Sequence, residues 1–203
     1  MTPLDSFLPL LRGRLPGCPD IVLKDATRDA AIEFCRRTEL LVQTAPLTVI
    51  AGERVAWPDF DAGTAWEVLS LTRDGRMLSP VNRRETLTQS WDVDTGVPLY
   101  YYLEGDGSLI LAPIPDANET LALTVTVCPT ATATEVDDAL YHSHREAIAA
   151  GARAWVRRNL GDWVNPQLEA EDRKVFEYAI HNQNIRRARG GANTPLRVRA
   201  TPF

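Results

Sequence analysis

The sequence predicts an α+β fold: a helical bundle formed by the N- and C-terminal helices, a small antiparallel β-sandwich or barrel inserted between them, and an extended C-terminal tail. Three observations predict it. Apolar residues recur at helical spacing near both ends of the chain, in residues 20–41 and again in 136–189. Between them, Thr120 to Val127 alternates, with Leu121, Leu123, Val125 and Val127 on one face and Thr120, Ala122, Thr124 and Thr126 on the other, the period of a half-buried strand. Gly190-Gly191 then ends the last helical stretch, and the remainder, ANTPLRVRATPF, reads as extended. Residues 1–45 and 130–189 are therefore expected to form the bundle, 46–129 the inserted β domain and 190–203 the tail.

At the N-terminus, Leu4, Phe7, Leu8 and Leu11 stand at i, i+3, i+4 and i+7, one apolar helical face that Pro9 delays or kinks. Pro16-Gly-Cys-Pro19 is a stop, after which Asp20 is placed to cap a long second helix reaching about Leu41. Its core stripe is Leu23, Ala26, Ala30, Phe34, Thr38 and Leu41. The opposite face is charged, and the small residues Ala26, Ala30 and Ala31 admit a close helix neighbour.

From Pro46 the period changes. Leu47–Ile50 and Arg54–Trp57 around Ala51-Gly52, and Ala65–Arg73 and Arg76–Leu78 around Asp74-Gly75, read as two hairpins. Ser79-Pro80 reads as an N-cap followed by proline at the first helical position, opening a short helix to about Trp91. Leu99–Leu103, Ser108–Ala112 and Thr120–Val127 read as a three-stranded antiparallel meander. Its first turn is Gly105-Asp106-Gly107, where glycine supplies positive φ, and its second is the proline-broken segment 113–119.

Helix returns at Val136–Leu160, with Gly151 inside it at a cost of about 1 kcal/mol relative to alanine; close packing against the second helix accounts for it. Gly161 is a stop, Trp163 lies in the turn, and a fourth helix runs from Asn165-Pro166 to about Arg189 with an acidic first turn of Glu169, Glu171 and Asp172, as the helix dipole prefers. From Arg186 onward there are five arginines and no acid.

The composition bounds what the chain does. With 203 residues, 44% apolar and 24% charged, it is globular and large enough to fold without disulfide or metal staples. A net charge of −5 argues against a general nucleic-acid binder, whose affinity comes from cations on phosphates. Lys24 and Lys174 are the only lysines; arginine suits interfaces, and a GC-rich genome gives the same bias because arginine codons are GC-rich. Cys18, Cys35 and Cys128 are odd in number and lack C-x-x-C spacing, as reduced cysteines of a cytosolic protein are. Neither a signal-peptide pattern nor a membrane-length apolar run is read, so a soluble product with no membrane partner is expected.

No catalytic constellation stands out, and no metal or cofactor is expected. Asp138 and His142 share a helical face at i, i+4, but His144 is turned about 200° from His142 at ~100° per residue. Glycine-rich phosphate loops, G-x-S-x-G, H-E-x-x-H and EF-hand patterns are lacking. Tyr100, Tyr101 and Tyr102 place at least one ring on each face of their strand, so a ligand- or glycan-binding component using the tyrosine-bearing β domain is the alternative reading.

Four segments together carry a resemblance: PGCPDIVLKDATRDAAIEFCRRTELL, GVPLYYYLEGDGSLILAPIPDANETLALTVTVCP, YHSHREAIAAGARAWVRRNL with Trp163 after it, and the tail from RARGG to Phe203. In content and order the chain resembles head-to-tail adaptor (connector, tail-tubular-like) proteins of tailed bacteriophages, most of all those of short-tailed phages. The resemblance implies a structural, non-enzymatic virion protein of the neck, assembled in the host cytoplasm. It implies a homo-oligomeric ring, commonly of twelve subunits, that binds the portal protein, extends the DNA channel without sequence-specific binding, and docks tail or nozzle proteins. Carried onto this chain, the portal-binding tail comprises Arg186, Arg187, Arg189, Leu196, Arg197, Val198, Arg199 and Phe203. Glu104, Asp106, Gly107, Asp116 and Asn118, at the turns of the β domain, become the contact points for a tail protein.

Overall fold

A computed structural model describes residues 1–56, 63–84, 93–104 and 108–190. The fold is α+β, and the chain divides into two compact units: Met1–Leu40 together with the chain from Ala131 onward, and Leu41–Thr130.

The first unit is helical. A two-residue strand β1 (Thr2–Pro3) pairs antiparallel with β12 (Glu135–Val136), and the Leu4 N–H donates to the Thr134 carbonyl at 3.0 Å. A 3-10 turn (Leu4–Phe7) leads into the short helix α1 (Leu8–Arg12), which starts late because Pro9 sits in the first turn, where no N–H is needed. Leu4, Phe7, Leu8 and Leu11 are all buried, as their spacing predicts.

Helix α2 spans Asp20–Thr38 and buries Leu23, Ala26, Ala30, Ala31 and Phe34. The cap position falls on Pro19 rather than Asp20; the Asp20 carboxylate instead pairs with Arg12 at 2.5 Å. The helix ends three residues before Leu41, because Glu39 turns left-handed at φ 48° and its N–H closes on the Cys35 carbonyl at 2.8 Å. Two threonines are buried on the apolar face, Thr27 and Thr38. Each satisfies its hydroxyl by donating one turn back, to the Leu23 and Phe34 carbonyls, both at 2.7 Å.

Helix α3 spans Asp138–Asn159, with Asp137 as the cap: its side chain accepts from the Ala139 N–H at 2.8 Å. Val136, expected inside this helix, pairs in β12 instead. Helix α4 spans Pro166–Ala188, capped by Asn165, which accepts from the Leu168 N–H at 3.0 Å. Gly151 lies where the three long helices meet. A Cβ built there would stand 2.9 Å from the Phe176 ring on α4 and 3.1 Å from the Ala30 Cβ on α2. Phe34 and Phe176 are fully buried beside it, their ring centroids 6.0 Å apart, and each such burial is worth about 1.5–3 kcal/mol.

The second unit holds two four-stranded sheets. One has the order β2 (Val42–Val49), β11 (Glu119–Cys128), β4 (Thr64–Arg73), β5 (Arg76–Met77); the other has β3 (Val55–Ala56), β9 (Leu109–Ala112), β8 (Tyr100–Leu103), β6 (Ser79–Pro80). A further pair joins β7 (Thr95–Gly96) to β10 (Ile114–Pro115). The core is the inward set Leu47, Val49, Leu71, Leu109, Leu111, Leu121, Leu123, Val125 and Val127. The alternation in β11 is therefore what fixes its faces, and β11 is the central strand, paired on both sides.

Several local expectations change. The hairpin around Asp74-Gly75 forms, with both turn residues at positive φ (48° and 77°), the geometry that matches strand twist. The segments around Ala51-Gly52 do not pair with each other: β2 joins β11 and β3 joins β9, in different sheets. The meander is broken in the same way, for β8 and β9 pair antiparallel while β11, past Pro113 and Pro115, crosses to the other sheet. Ser79-Pro80 is not a helix cap; it pairs parallel with Tyr100–Tyr101, and the β7–β10 pair is parallel too, so the unit is not purely antiparallel. The turn 105–107 and the segment 85–91 of the expected short helix lie outside the described residues.

Candidate docking surfaces

An ionic cluster sits in the core of the helical unit. Arg153 and Arg157, one turn apart on α3, are 1% and 6% exposed, and both reach Asp172 on α4, which is 3% exposed. Arg153 Nε donates to Asp172 Oδ1 at 3.0 Å, and Arg157 Nη1 donates to Asp172 Oδ2. Arg153 also pairs with the half-exposed Glu146 at 3.0 Å. Further N–H groups go to carbonyls: Arg153 to Leu10 at 3.4 Å, Arg157 to Leu168 at 3.3 Å and to Arg14 at 3.4 Å. One carboxylate thus ties α3 to α4, while Arg153 ties them to α1 and Arg157 to the residues just after it. Asp172 reads in the sequence as a solvated acid near a helix start. The signal that reveals its burial is an arginine pair at i, i+4 inside an otherwise alanine-rich apolar run.

The end of α4 is the root of the C-terminal segment. Arg186 and Arg187 lie in its last turn, and Arg189 closes it, its N–H donating to the Ile185 carbonyl at 3.1 Å. Arg187 turns back onto the end of α2, donating to the Thr38 carbonyl at 3.3 Å and pairing with Glu39 at 2.5 Å. Arg186 is exposed and its charge bears on His144. The His144 ring lies 4.8 Å from that of Phe34, and its pKa is lowered, first by burial and then by Arg186. Further back along α4, Glu177 accepts a fork from Arg37 of α2, and this hydrogen-bonded pairing lowers the Glu177 pKa. Of the tail residues, Arg187 is thus committed within the unit, while Leu196, Arg197, Val198, Arg199 and Phe203 lie outside the described residues.

In the β unit, the segment 114–118 is tied to the turn after β2. Asn118 Oδ1 accepts from the Ala51 N–H at 2.8 Å, and the Gly52 N–H donates to the Pro115 carbonyl at 2.8 Å. Asp116 and Asn118 are exposed. Glu104 is half-buried, pairs with Arg83 at 3.5 Å, and its N–H donates to the Ser108 carbonyl at 2.9 Å. These residues do not converge on one point: Glu104 follows β8, Asp116 and Asn118 precede β11. Asp106 and Gly107 are outside the described residues.

Two of the three tyrosines are buried, Tyr101 in the core of the unit. Tyr101 is 5% exposed, its pKa raised by that burial, and Tyr102 is 8% exposed with its hydroxyl accepting from Arg54 at 2.9 Å. Tyr100 is half-buried. An open groove of about 830 Å³ lies near this strand, lined by Trp66, Leu69, Met77, Val81, Leu103 and Glu104 among others.

Asp138 is engaged at the start of α3 rather than with a metal partner set: it accepts from Thr2 Oγ1 at 2.6 Å and from the Met1 amine at 3.1 Å, contacts that lower its pKa. Among the described residues, none of the His, Cys, Asp and Glu side chains group as three potential metal ligands, and no helix is long and apolar enough to cross a membrane. The carboxylate at the heart of the helical unit, Asp172, is taken up by two arginines, an arrangement that fixes the helices to one another.

A family model described as SU10 adaptor protein matches residues 4–199, which includes both units and part of the C-terminal segment. No curated protein matches the chain.

Proposed function

Since the chain belongs to the SU10 adaptor protein family, a family of structural phage adaptors, we propose that it is a ring-forming head-to-tail adaptor of the virion neck. In this reading a homo-oligomeric ring binds the portal protein on one side, extends the DNA channel, and docks tail or nozzle proteins on the other. The observation that carries it is the extent of the family match, from the N-terminal 3-10 turn into the C-terminal segment.

The proposal assigns the portal contact to the segment that leaves α4, from the exposed Arg186 through Arg189 to Leu196, Arg197, Val198, Arg199 and Phe203. Arg187 anchors its root. The turns bearing Glu104, Asp106, Gly107, Asp116 and Asn118 are assigned to the tail-protein side. A net charge of −5 supports a channel that passes DNA without gripping it.

The test is cryo-microscopy and native mass spectrometry of the chain mixed with its portal protein. A closed ring on the portal is expected, lost on deletion of residues 190–203 while the circular dichroism of the remaining chain is unchanged. A chain that stays monomeric and never binds the portal, at any concentration or salt, overturns the proposal.

A further inference from the structure

The β2 edge of the sheet ordered β2, β11, β4, β5 has the features that favour another strand. Among the described residues β2 has a single neighbour, β11, along all eight of its residues. It carries no charged side chain, and Val42, Thr44, Pro46 and Thr48 are exposed along it. Long uncharged edges invite pairing, and folded proteins normally blunt them with charge, cover or proline. Here only Pro46 does so.

The proline also shows which backbone groups are open. Having no N–H, Pro46 is accommodated where its backbone faces away from β11. Residues of an antiparallel strand alternate in this respect, so the N–H groups of Val42, Thr44 and Thr48 share that outward direction. The donated contact of Thr72 Oγ1 to the carbonyl of Ala122, the residue opposite Pro46, fits this phase, because it places that carbonyl toward β4. The open edge therefore offers three donors, the carbonyls of residues 42, 44, 46 and 48, and an apolar inner side continuous with Leu47 and Val49.

The chain carries a segment of matching length and pattern. Residues 194–201, TPLRVRAT, equal β2 in number, and place Leu196 and Val198 on one face of an extended chain and Arg197 and Arg199 on the other. Leu196 and Val198 suit the apolar inner side. The arginines would face solvent beside Thr44 and Thr48, where β2 has no cation to repel them.

We propose that residues 194–201 of one copy add as a strand to the open edge of β2 in a second copy of the free protein. This does not rest on the portal reading; where a portal is present, it competes for the same segment. The mode is strand addition, in which main-chain hydrogen bonds give affinity and alternate side chains give register.

Hydrogen exchange of the full chain at low and high concentration tests it, with sedimentation run in parallel. Association is expected to slow exchange of the backbone amides of Val42, Thr44 and Thr48 by roughly tenfold or more, as new ladder hydrogen bonds protect them. Val198→Asp, which places a charge on the apolar inner side of the incoming strand, and Thr48→Lys, which charges the receiving edge, should each hold these amides at their dilute rate. The proposal is overturned if the chain does not associate, or if it associates without protecting these amides. It is equally overturned if Val198→Asp retains the protection, or if protection is independent of concentration, which would put the covering strand within one copy.

Discussion

Replacing Asp172 with asparagine should be among the most damaging single substitutions in the helical unit. The change keeps the shape of the side chain and removes its charge. Arg153 then retains Glu146, which is half-exposed and a weak counter-charge in water. Arg157 retains only the carbonyls of Leu168 and Arg14, at 3.3 and 3.4 Å. Removing one partner of a buried ion pair leaves an uncompensated charge and costs about 3–5 kcal/mol. At roughly 2–4 °C per kcal/mol for a chain of this size, the melting temperature falls by roughly 6–20 °C. Urea unfolding followed by far-UV circular dichroism measures this directly. Replacing the whole cluster, Arg153→Met with Arg157→Leu and Asp172→Leu, should recover most of the loss, since apolar substitutes for a complete buried ion set are often neutral or better. A loss below about 1 kcal/mol for Asp172→Asn, or a triple variant as unstable as the single one, would refute the view that the cost is unpaired buried charge.

Three further outcomes are expected. Gly151→Ala gains about 1 kcal/mol of helix propensity but forces a methyl onto the Phe176 ring and the Ala30 Cβ, an overpacking cost of about 1–3 kcal/mol, so thermal unfolding should show net destabilisation. His144 has a lowered folded-state pKa, so as pH falls through its ordinary value of 6.5 the unfolded chain takes up the proton first. Its stability contribution is then full above that pH and declines below it down to the folded-state value, and His144→Gln should flatten the melting temperature between neutral and mildly acidic pH. Asn118→Ala leaves the Ala51 N–H without its acceptor and should cost about 1 kcal/mol in chemical unfolding of the β unit, while Asp116→Ala, whose side chain is exposed, should cost little.

Residue spacing carried much of the fold. The stripe Leu23, Ala26, Ala30, Phe34 and Thr38 is buried as its helical period requires, and β11 alternates as its burial shows. Both signals are local, which is why they survive in a sequence. Partner choice between strands is not local. The segments flanking Ala51-Gly52 have the look of a hairpin, yet β2 and β3 belong to different sheets, and β11 leaves the meander to pair with β2 and β4. Ser79-Pro80 fails for a related reason: its pattern suits a helix start, but the parallel pairing with Tyr100–Tyr101 decides the backbone. The ionic core was hidden because a charge near a helix end normally faces water. Only the alanines around Arg153 and Arg157 distinguish this case. For the tail, the pattern after Gly190 is readable, but no intrachain partner for it can be read from the sequence alone.

The run from Ala147 to Ala154 on α3 has an entropic side. Ala147, Ala149, Ala150, Gly151, Ala152 and Ala154 are all buried, and none has rotamers to lose when it is. Within that run and its continuation to Arg157, the ordering of long side chains is concentrated in the two arginines, each giving up roughly 1.5–2 kcal/mol of rotamer freedom. Those are also the two that Asp172 holds in place. This stretch of helix therefore packs on its neighbours with little loss of side-chain freedom beyond Ile148, Val156 and the two arginines, whose freedom a charge fixes.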